Sequence, residues 1–384
     1  GWIARAPRLL PSFGLALMAV LVAALSVQPF LYAALLVELA VLVCIPLLAP
    51  PGERVGQGTL RFLIFLTLGL PFILFAGWAL GGTGLNLTDS RQVGQALFLL
   101  GVGFLFWLAV FPFYTWIPML SSEAHPYTSG FILNLLPPIM LLLLLDFLGS
   151  FPFLRSLPAF ISALQLVGIL MVLTGGVWAA FQEDLGRLFG YAVIMETGFL
   201  LLAFSITGEG GLEVFAASLA PRMFSLGLFS LALALLKRGG VPLTLEGIRG
   251  GLRTRPFAVS ALTAALLSLV GLPMFAVFPV RLNLLMLLAR ESIPALAASL
   301  AGMAALLFAA ARVLAALMRP PVERPVAREE AEGQTGLEMT PTRESWQEAL
   351  FALGGVLLLI SIGLFPGLLL GGLPGMLQAF PLLK

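Results

Sequence analysis

Four ionisable side chains stand inside long apolar runs: Glu38 in YAALLVELAVL, Glu196 in YAVIMETGFLL, Arg222 in LAPRMFSLG and Arg281 in FPVRLNLL. A charge in such surroundings is costly unless it meets an opposite charge or a water-filled path. Two chemistries therefore stay open: a polar path through the apolar phase, or ion pairs that hold helices together, with Glu196 and Arg222 as the expected pair. Arg281 keeps its proton at any accessible pH, which suits a fixed counter-charge or an electrostatic gate better than a relay. Glu38 differs, because burial and a nearby cation pull a carboxyl's proton affinity in opposite directions. A moving cation could load and unload it, which makes it the best proton-carrying candidate. Asp146 and Arg312 lie nearer the ends of their runs, where snorkelling is the plain reading.

The elements that must position these groups are membrane helices. Hydrophobic residues make up 60% of the 384 and charged residues 10%, with a mean hydropathy of +1.05; a water-soluble domain could not present this composition. The net charge of +2 is spread out, with no basic run of the kind that binds nucleic acid. One cysteine, Cys44, and one histidine, His125, argue against an intramolecular disulfide and against a zinc, haem or iron–sulfur centre in this chain. There is no Walker A sequence, dinucleotide fingerprint or nucleophile–base set, and GGTG at 81–84 reads as a loop tip.

The fold class is all-α, a polytopic membrane protein in one transmembrane domain, 1–384. About eleven spans meet the bilayer length: 8–28, 30–49, 60–82, 93–118, 128–148, 158–180, 188–207, 213–236, 256–291, 294–318 and 346–371. The first 29 residues read as a retained helix and not a secretion signal, and a first residue other than methionine is what trimming would leave. Two spans are expected to be discontinuous. Pro112 and Pro118 interrupt the fourth near its end, and Gly271, Pro273 and Pro279 interrupt the ninth at its centre. Helices broken at membrane depth need protein or a wet cavity to meet their freed backbone groups, which implies a transporter-like architecture.

An odd number of spans puts the termini on opposite faces. The amino-terminal face gathers most of the basic residues, among them Arg5, Arg8, Arg187, Lys237, Arg238, Arg249, Arg253, Arg255 and Arg319, against mainly Arg91, Arg155, Arg290 and Lys384. The positive-inside rule makes that face cytoplasmic and sends the carboxyl terminus to the outer face. The segment 319–345 reads as a flexible cytoplasmic loop.

The stretch FPFYTWIPMLSSEAHP, 111–126, sits between two apolar runs; its prolines, Tyr114 and Trp116 suit the broken end of a helix. PFYTWIP followed by SEAHPYTSG resembles a signature of the antiporter-like membrane subunits of respiratory complex I and the related cation/proton antiporters. FQEDLGRLFGYAVIMETGFLLLAF (181–204), GIRGGLRTRPFAVSALTAALLSLVGLPMFAVFPVRL (247–282), YAALLVELAVLVCIPLLAPP and TLRFLIF resemble further segments of that family in order and spacing. The resemblance covers nearly the whole chain. It implies an antiporter-like fold that starts at the family's fourth helix, closest to the N-type subunit.

The family's buried axis consists of a glutamate and several lysines. By resemblance the glutamate falls on Glu38 and the helix-twelve lysine on Arg281. The helix-seven, -eight and -eleven lysines fall near Trp107, Pro137 and Ser225, and the first lysine in the chain is Lys237. A proton crossing here would have to use waters, Tyr114, Glu196 or groups on a neighbouring chain. Glu123 and His125 are expected as solvated turn residues. The expected function is a membrane-arm subunit of a complex I-type NADH:quinone oxidoreductase in a bacterial cytoplasmic membrane, taking part in proton translocation or supporting it. Flavin, iron–sulfur clusters and quinone would belong to partner subunits. A scaffold role in another energy-converting assembly and a stand-alone cation/proton antiporter are the alternatives; the latter would need a complete path of its own.

Overall fold

A computed structural model describes residues 3–28, 30–49, 52, 54–81, 90–150, 157–207, 210–320 and 344–367. Its helices are α1 (Leu10–Ser26), α2 (Phe30–Leu48), α3 (Gln57–Gly81), α4 (Ser90–Trp107), α5 (Trp116–Glu123), α6 (Pro126–Ser150), α7 (Pro158–Phe181), α8 (Leu185–Ser205), α9 (Gly211–Arg238), α10 (Gly251–Thr254), α11 (Pro256–Val270), α12 (Phe278–Glu291), α13 (Ile293–Met318) and α14 (Trp346–Leu364). Among the described residues there is no strand, only an isolated bridge between Asp184 and Thr244. Eight helices are long and apolar enough to cross a bilayer, and α1, α11 and most of α4 are shorter apolar helices. With α4 and α5 as one crossing and α11 and α12 as another, the described residues make eleven crossings. Nearly all of the loop expected at 319–345, and GGTG beyond its first glycine, lie outside the described residues.

Helix α8 is the axis of the bundle, with 94% of its membrane-length window buried. It starts on a side-chain cap, the Asp184 carboxylate accepting the Arg187 amide N–H at 2.8 Å. In lipid, helices gain little from apolar burial and associate where small residues let backbones meet. At Gly176 a Cβ would run into the backbone of Gly302, and at Gly175 into that of Met195. These close approaches place α7 between α8 and α13.

One end of the bundle is tied together by polar contacts. Arg238 Nη1 donates to the Ile3 carbonyl at 2.8 Å, and the Gly250 amide N–H to Arg319 at 3.0 Å. The Glu344 carboxylate accepts the Phe257 and Ala258 amides at 3.0 and 2.8 Å, covering the first turn of α11. Glu348, buried in the capping box that opens α14, pairs with Arg238 at 2.8 Å and Arg255 at 3.6 Å. The Glu123 carboxylate accepts the Gly58 amide at 2.7 Å. It serves the start of α3 and is not simply a solvated turn residue.

Both interrupted crossings end their first half in the same way. Leu272 N–H reaches Leu267 and Gly271 N–H reaches Ser268; in α4, Val110 N–H reaches Leu105 and Ala109 N–H reaches Phe106. These are Schellman closures, which need a left-handed residue at the turn. Gly271 supplies it at φ 80°, and Ala109 adopts it at φ 55°. Pro112 follows a cis peptide bond and precedes a single 3₁₀ turn, Phe113–Thr115. Pro118, expected to interrupt the span, sits instead in the first turn of α5, where a missing N–H breaks no helix bond. Pro273 lies in the second link, while Pro279 falls in the first turn of α12 and starts a helix instead of interrupting one. The loop at Met274 and Phe275 packs so closely on Gly363 of α14 that a Cβ there would strike its backbone. The freed backbone is thus covered by protein. The breaks occupy the fourth and ninth crossings, and that odd separation gives them opposite orientations, the mark of an inverted repeat.

The two closures predict opposite responses. Ala109→Gly is expected to stabilise by about 1 kcal/mol and Gly271→Ala to destabilise by about 1–2 kcal/mol, because only an L side chain is strained at these φ values. Denaturant midpoints in detergent check both.

Candidate functional site

The charge cluster lies where α8, α9 and α12 meet. Glu196, Arg222 and Arg281 are 3%, 1% and 4% exposed. The structure corrects the expected pairing: Glu196 Oε1 accepts Arg281 Nη2 in a short, buried ion pair. Arg281 is held in place from two further sides. Its guanidinium carbon lies 3.3 Å from the centroid of the Phe199 ring, one turn along α8 from Glu196. Its stem passes beside Gly271, where a Cβ would meet Cγ at 3.3 Å. The glycine that ends α11 therefore also makes room for the arginine.

Arg222 is committed to α6. A proline in a helix leaves the carbonyl four residues earlier without its usual donor. Pro138 does this to Asn134, and Arg222 Nη1 donates to the Asn134 carbonyl and to its Oδ1, both at 3.3 Å. Asn134 Nδ2 in turn donates to the Met223 carbonyl at 2.8 Å. Asn134 was not among the sequence candidates; an amide four residues before an intrahelical proline is the signal that could have found it. Arg222 is still close enough to feel the Glu196 charge. Along α9, Ser225 Oγ lies 2.8 Å from Ser268 Oγ, so a hydroxyl pair stands where the resemblance expects a lysine. A cavity of about 10 Å³ borders Glu196, Phe199, Ser218, Pro221 and Arg281, at the threshold for one water.

Glu38 lies elsewhere. Its Oε1 accepts the Thr67 hydroxyl at 2.7 Å in the seam between α2 and α3, half-buried beside an exposed Thr67. Among the described residues no hydrogen bond or ion pair joins it to Glu196, Arg222 or Arg281. The position where the resemblance expects the helix-seven lysine is taken by Trp107, buried at the end of α4, whose Nε1 donates to the Leu66 carbonyl at 3.1 Å. Gly69 leaves room for the indole; a Cβ there would strike it. An indole N–H donates but does not titrate, so this contact can hold α3 to α4 and cannot relay a proton. Tyr114 packs its ring 6.2 Å from Tyr191, five residues before Glu196 on the same helix. Among the described residues it makes no hydrogen bond to the cluster. Arg312 donates to the Ala180 and Gln182 carbonyls, where it closes the end of α7.

His125 sits at the tied end and is not fully solvated. Burial, then the nearby Lys237 charge, push its pKa down from 6.5 to about 4, against the opposing hydrogen bond to the Ala4 carbonyl. The ring is neutral at ordinary pH and anchors the chain ahead of α1.

Electrostatically, two guanidiniums face one carboxylate, and the nearest contacts are an aromatic face, an amide and backbone carbonyls. Such a set fixes helices and holds a positive potential. It contains no pair of groups between which a proton would readily pass.

The family described as NADH:quinone oxidoreductase/Mrp antiporter, TM, matches residues 75–307. NADH-quinone oxidoreductase subunit N 2 of Solidesulfovibrio magneticus is 27% identical over 255 residues, 61% of this chain and 52% of that protein. The chain spans about half the length of the curated relatives it matches. A chain of Thermus thermophilus respiratory complex I with bound NADH superposes with a TM-score of 0.73 at 22% identity, covering 100% of this chain and 81% of that one. A chain of the Mrp complex from Dietzia sp. superposes at 0.76 with 20% identity, covering 88% and 72%. The two structural likenesses concern the fold.

Removing one partner of the central pair, by Arg281→Met or Glu196→Gln, is expected to cost about 3–5 kcal/mol, with the double variant recovering a large part of the loss. A double-mutant cycle on unfolding free energy measures this. For His125 the fold favours the neutral ring, so its stabilising contribution is complete above the ordinary pKa of 6.5 and drains as pH falls toward about 4. Hydrogen exchange across residues 3–9, normalised for intrinsic rate, should rise over that window, and His125→Gln should flatten the dependence.

Proposed function

Since the chain belongs to the NADH:quinone oxidoreductase/Mrp antiporter transmembrane family, we propose that it is an antiporter-like membrane-arm subunit of a complex I-type NADH:quinone oxidoreductase that braces the arm, its own proton path being degenerate. The observation that carries this reading is the buried Glu196–Arg281 pair, together with a Trp107, where the resemblance expects a lysine, that is bonded to the Leu66 carbonyl. Proton passage needs groups that change charge within reach of one another. Here the central carboxylate is held by a guanidinium that does not release its proton, and an indole occupies the next position expected to titrate. Moving a charge through the remaining apolar stretches without relays would be prohibitive. The pair joins α8 to α12, and Arg222 joins α9 to α6; buried polar cross-links of this kind are what a load-bearing element of a larger assembly requires.

In this reading the whole chain, 1–384, acts as one transmembrane domain, with flavin, iron–sulfur clusters and quinone carried by partner subunits. The tied end, rich in arginine, faces the cytoplasm of a bacterium, with the loop 319–345 on that side, and α14 ends toward the outer face. Glu38 and Tyr114 are left as residual members of a path that is incomplete within this chain.

Gentle solubilisation should bring down flavin- and iron–sulfur-bearing chains together with this one; a protein that purifies alone would refute the assignment. Within the assembled complex, Glu196→Gln and Arg281→Met are expected to lower the amount of intact assembly and leave the protons moved per electron unchanged. A reduced ratio with assembly intact would show that the pair transmits protons.

A further inference from the structure

We propose that the groove between α6, α9 and α14 binds an anionic phospholipid of the leaflet at the tied end, with one acyl chain lying in the groove and the phosphate meeting Lys237. This is a property of the single chain and goes beyond the assembly role argued above.

The groove follows the helix axes. It is a cavity of about 270 Å³ that runs seven residues along each wall, from Tyr127 to Asn134 on α6, Phe224 to Leu231 on α9 and Phe351 to Leu358 on α14, or about 10 Å at 1.5 Å per residue. Met223, Phe224 and Phe351 leave apolar surface exposed along it. Close approaches at two glycines keep it narrow: a Cβ at Gly130 would strike Ser230, and one at Gly355 would strike Leu228. Between them, a Cβ at Gly227 would meet only Asn134 Nδ2, at 3.9 Å. The result is a slot floored by α9 and walled by its two neighbours. It suits one flexible chain and not a helix about 10–12 Å across.

A cation stands at the mouth of the slot. Met223, Ser230 and Lys237 repeat every seven residues, close to two helical turns, so Lys237 continues the edge of α9 that lines the groove. Its side chain is exposed, and among the described residues no carboxylate pairs with it. The charges around it are already committed. Arg238 donates to the Ile3 carbonyl and pairs with Glu348, which also takes Arg255; His125, near enough to feel the Lys237 charge, is neutral. Fourteen residues of helix separate Lys237 from Met223 at the inner end of the groove, about 21 Å. A leaflet with its headgroups is about 20–22 Å thick. A phospholipid therefore matches both ends of the site, its chain terminus at Met223 and its phosphate at the ammonium. A zwitterionic headgroup would bring a cation of its own to the same place, so the unpaired Lys237 selects an anionic one.

The test uses membranes that contain the full chain, supplemented with phosphatidylglycerol or phosphatidylcholine bearing a photoreactive group at the end of one acyl chain. Phosphatidylglycerol adducts should map by mass spectrometry to the peptides holding Asn134 and Met223 to Gly227. Lys237→Gln should lower their yield about fivefold, to the level given by phosphatidylcholine, and Lys237→Arg should preserve it. Gly227→Leu, which fills the groove at its most open point, should remove the adducts. Gly101→Leu, at a position on α4 where a Cβ meets nothing within 4 Å, should leave them unchanged. Equal labelling by the two lipids, or adducts indifferent to Lys237→Gln or to Gly227→Leu, would each overturn the proposal. Because Lys237 is a surface residue, its variants decide the matter even if Gly227→Leu fails to fold.

Discussion

The bilayer core supplies no hydrogen-bond donors, so every backbone group released by a break and every charge kept at depth must be answered by protein. Most of this architecture follows from that constraint. The two interrupted crossings close their first halves with Schellman turns before the chain leaves the helix, and Gly363 of α14 lets a neighbouring helix cover the second link. Pro138 within α6 releases the Asn134 carbonyl, which is met by an arginine from α9. Breaks and charges are thus one problem solved jointly, with guanidiniums serving as donors to backbone as much as partners to carboxylates.

The same economy limits what the centre can do. A guanidinium answers several acceptors at once because it is planar, rich in donors and permanently charged. Those properties make it a good clamp and a poor stepping stone. Where lysine could shed its proton when desolvated, arginine leaves the Glu196 carboxylate locked. The indole of Trp107 and the Ser225–Ser268 hydroxyl pair continue the pattern, joining helices without adding a titrating site. On the proposed reading, the family fold persists here with its interior given over to cohesion.

The polar junction at the tied end performs the corresponding task outside the apolar slab. Glu348 gathers arginines from the end of α9 and the start of α11, and Glu344 covers the first amides of α11. The start of the discontinuous ninth crossing is therefore fixed by residues that follow the tenth. Rigid placement of α11 in turn sets where Gly271 falls, and hence where Arg281 can lie.

Much of the fold was legible without coordinates. Crossing a bilayer demands about twenty apolar residues per helix, so hydropathy alone located the eleven crossings, and glycine and proline marked the two links. Where each break begins was less legible: Pro118 and Pro279 resemble interruptions in sequence but stand in first turns, since a proline's effect depends on whether the carbonyl behind it belongs to the same helix. The deep charges were also visible as sequence anomalies. Their partners were not, because Glu196 is 85 residues from Arg281 and 26 from Arg222 along the chain, and only the tertiary placement of α12, packed on α9 and α13, decides between them. Likewise the sequence identified Glu38 as a buried-type carboxylate, and only tertiary structure put it in an outward seam beside Thr67 instead of with the other charges. Local patterns set which segments enter the membrane; which side chains meet there is decided by helix rotation and close approach at glycines, and neither is written in any one segment.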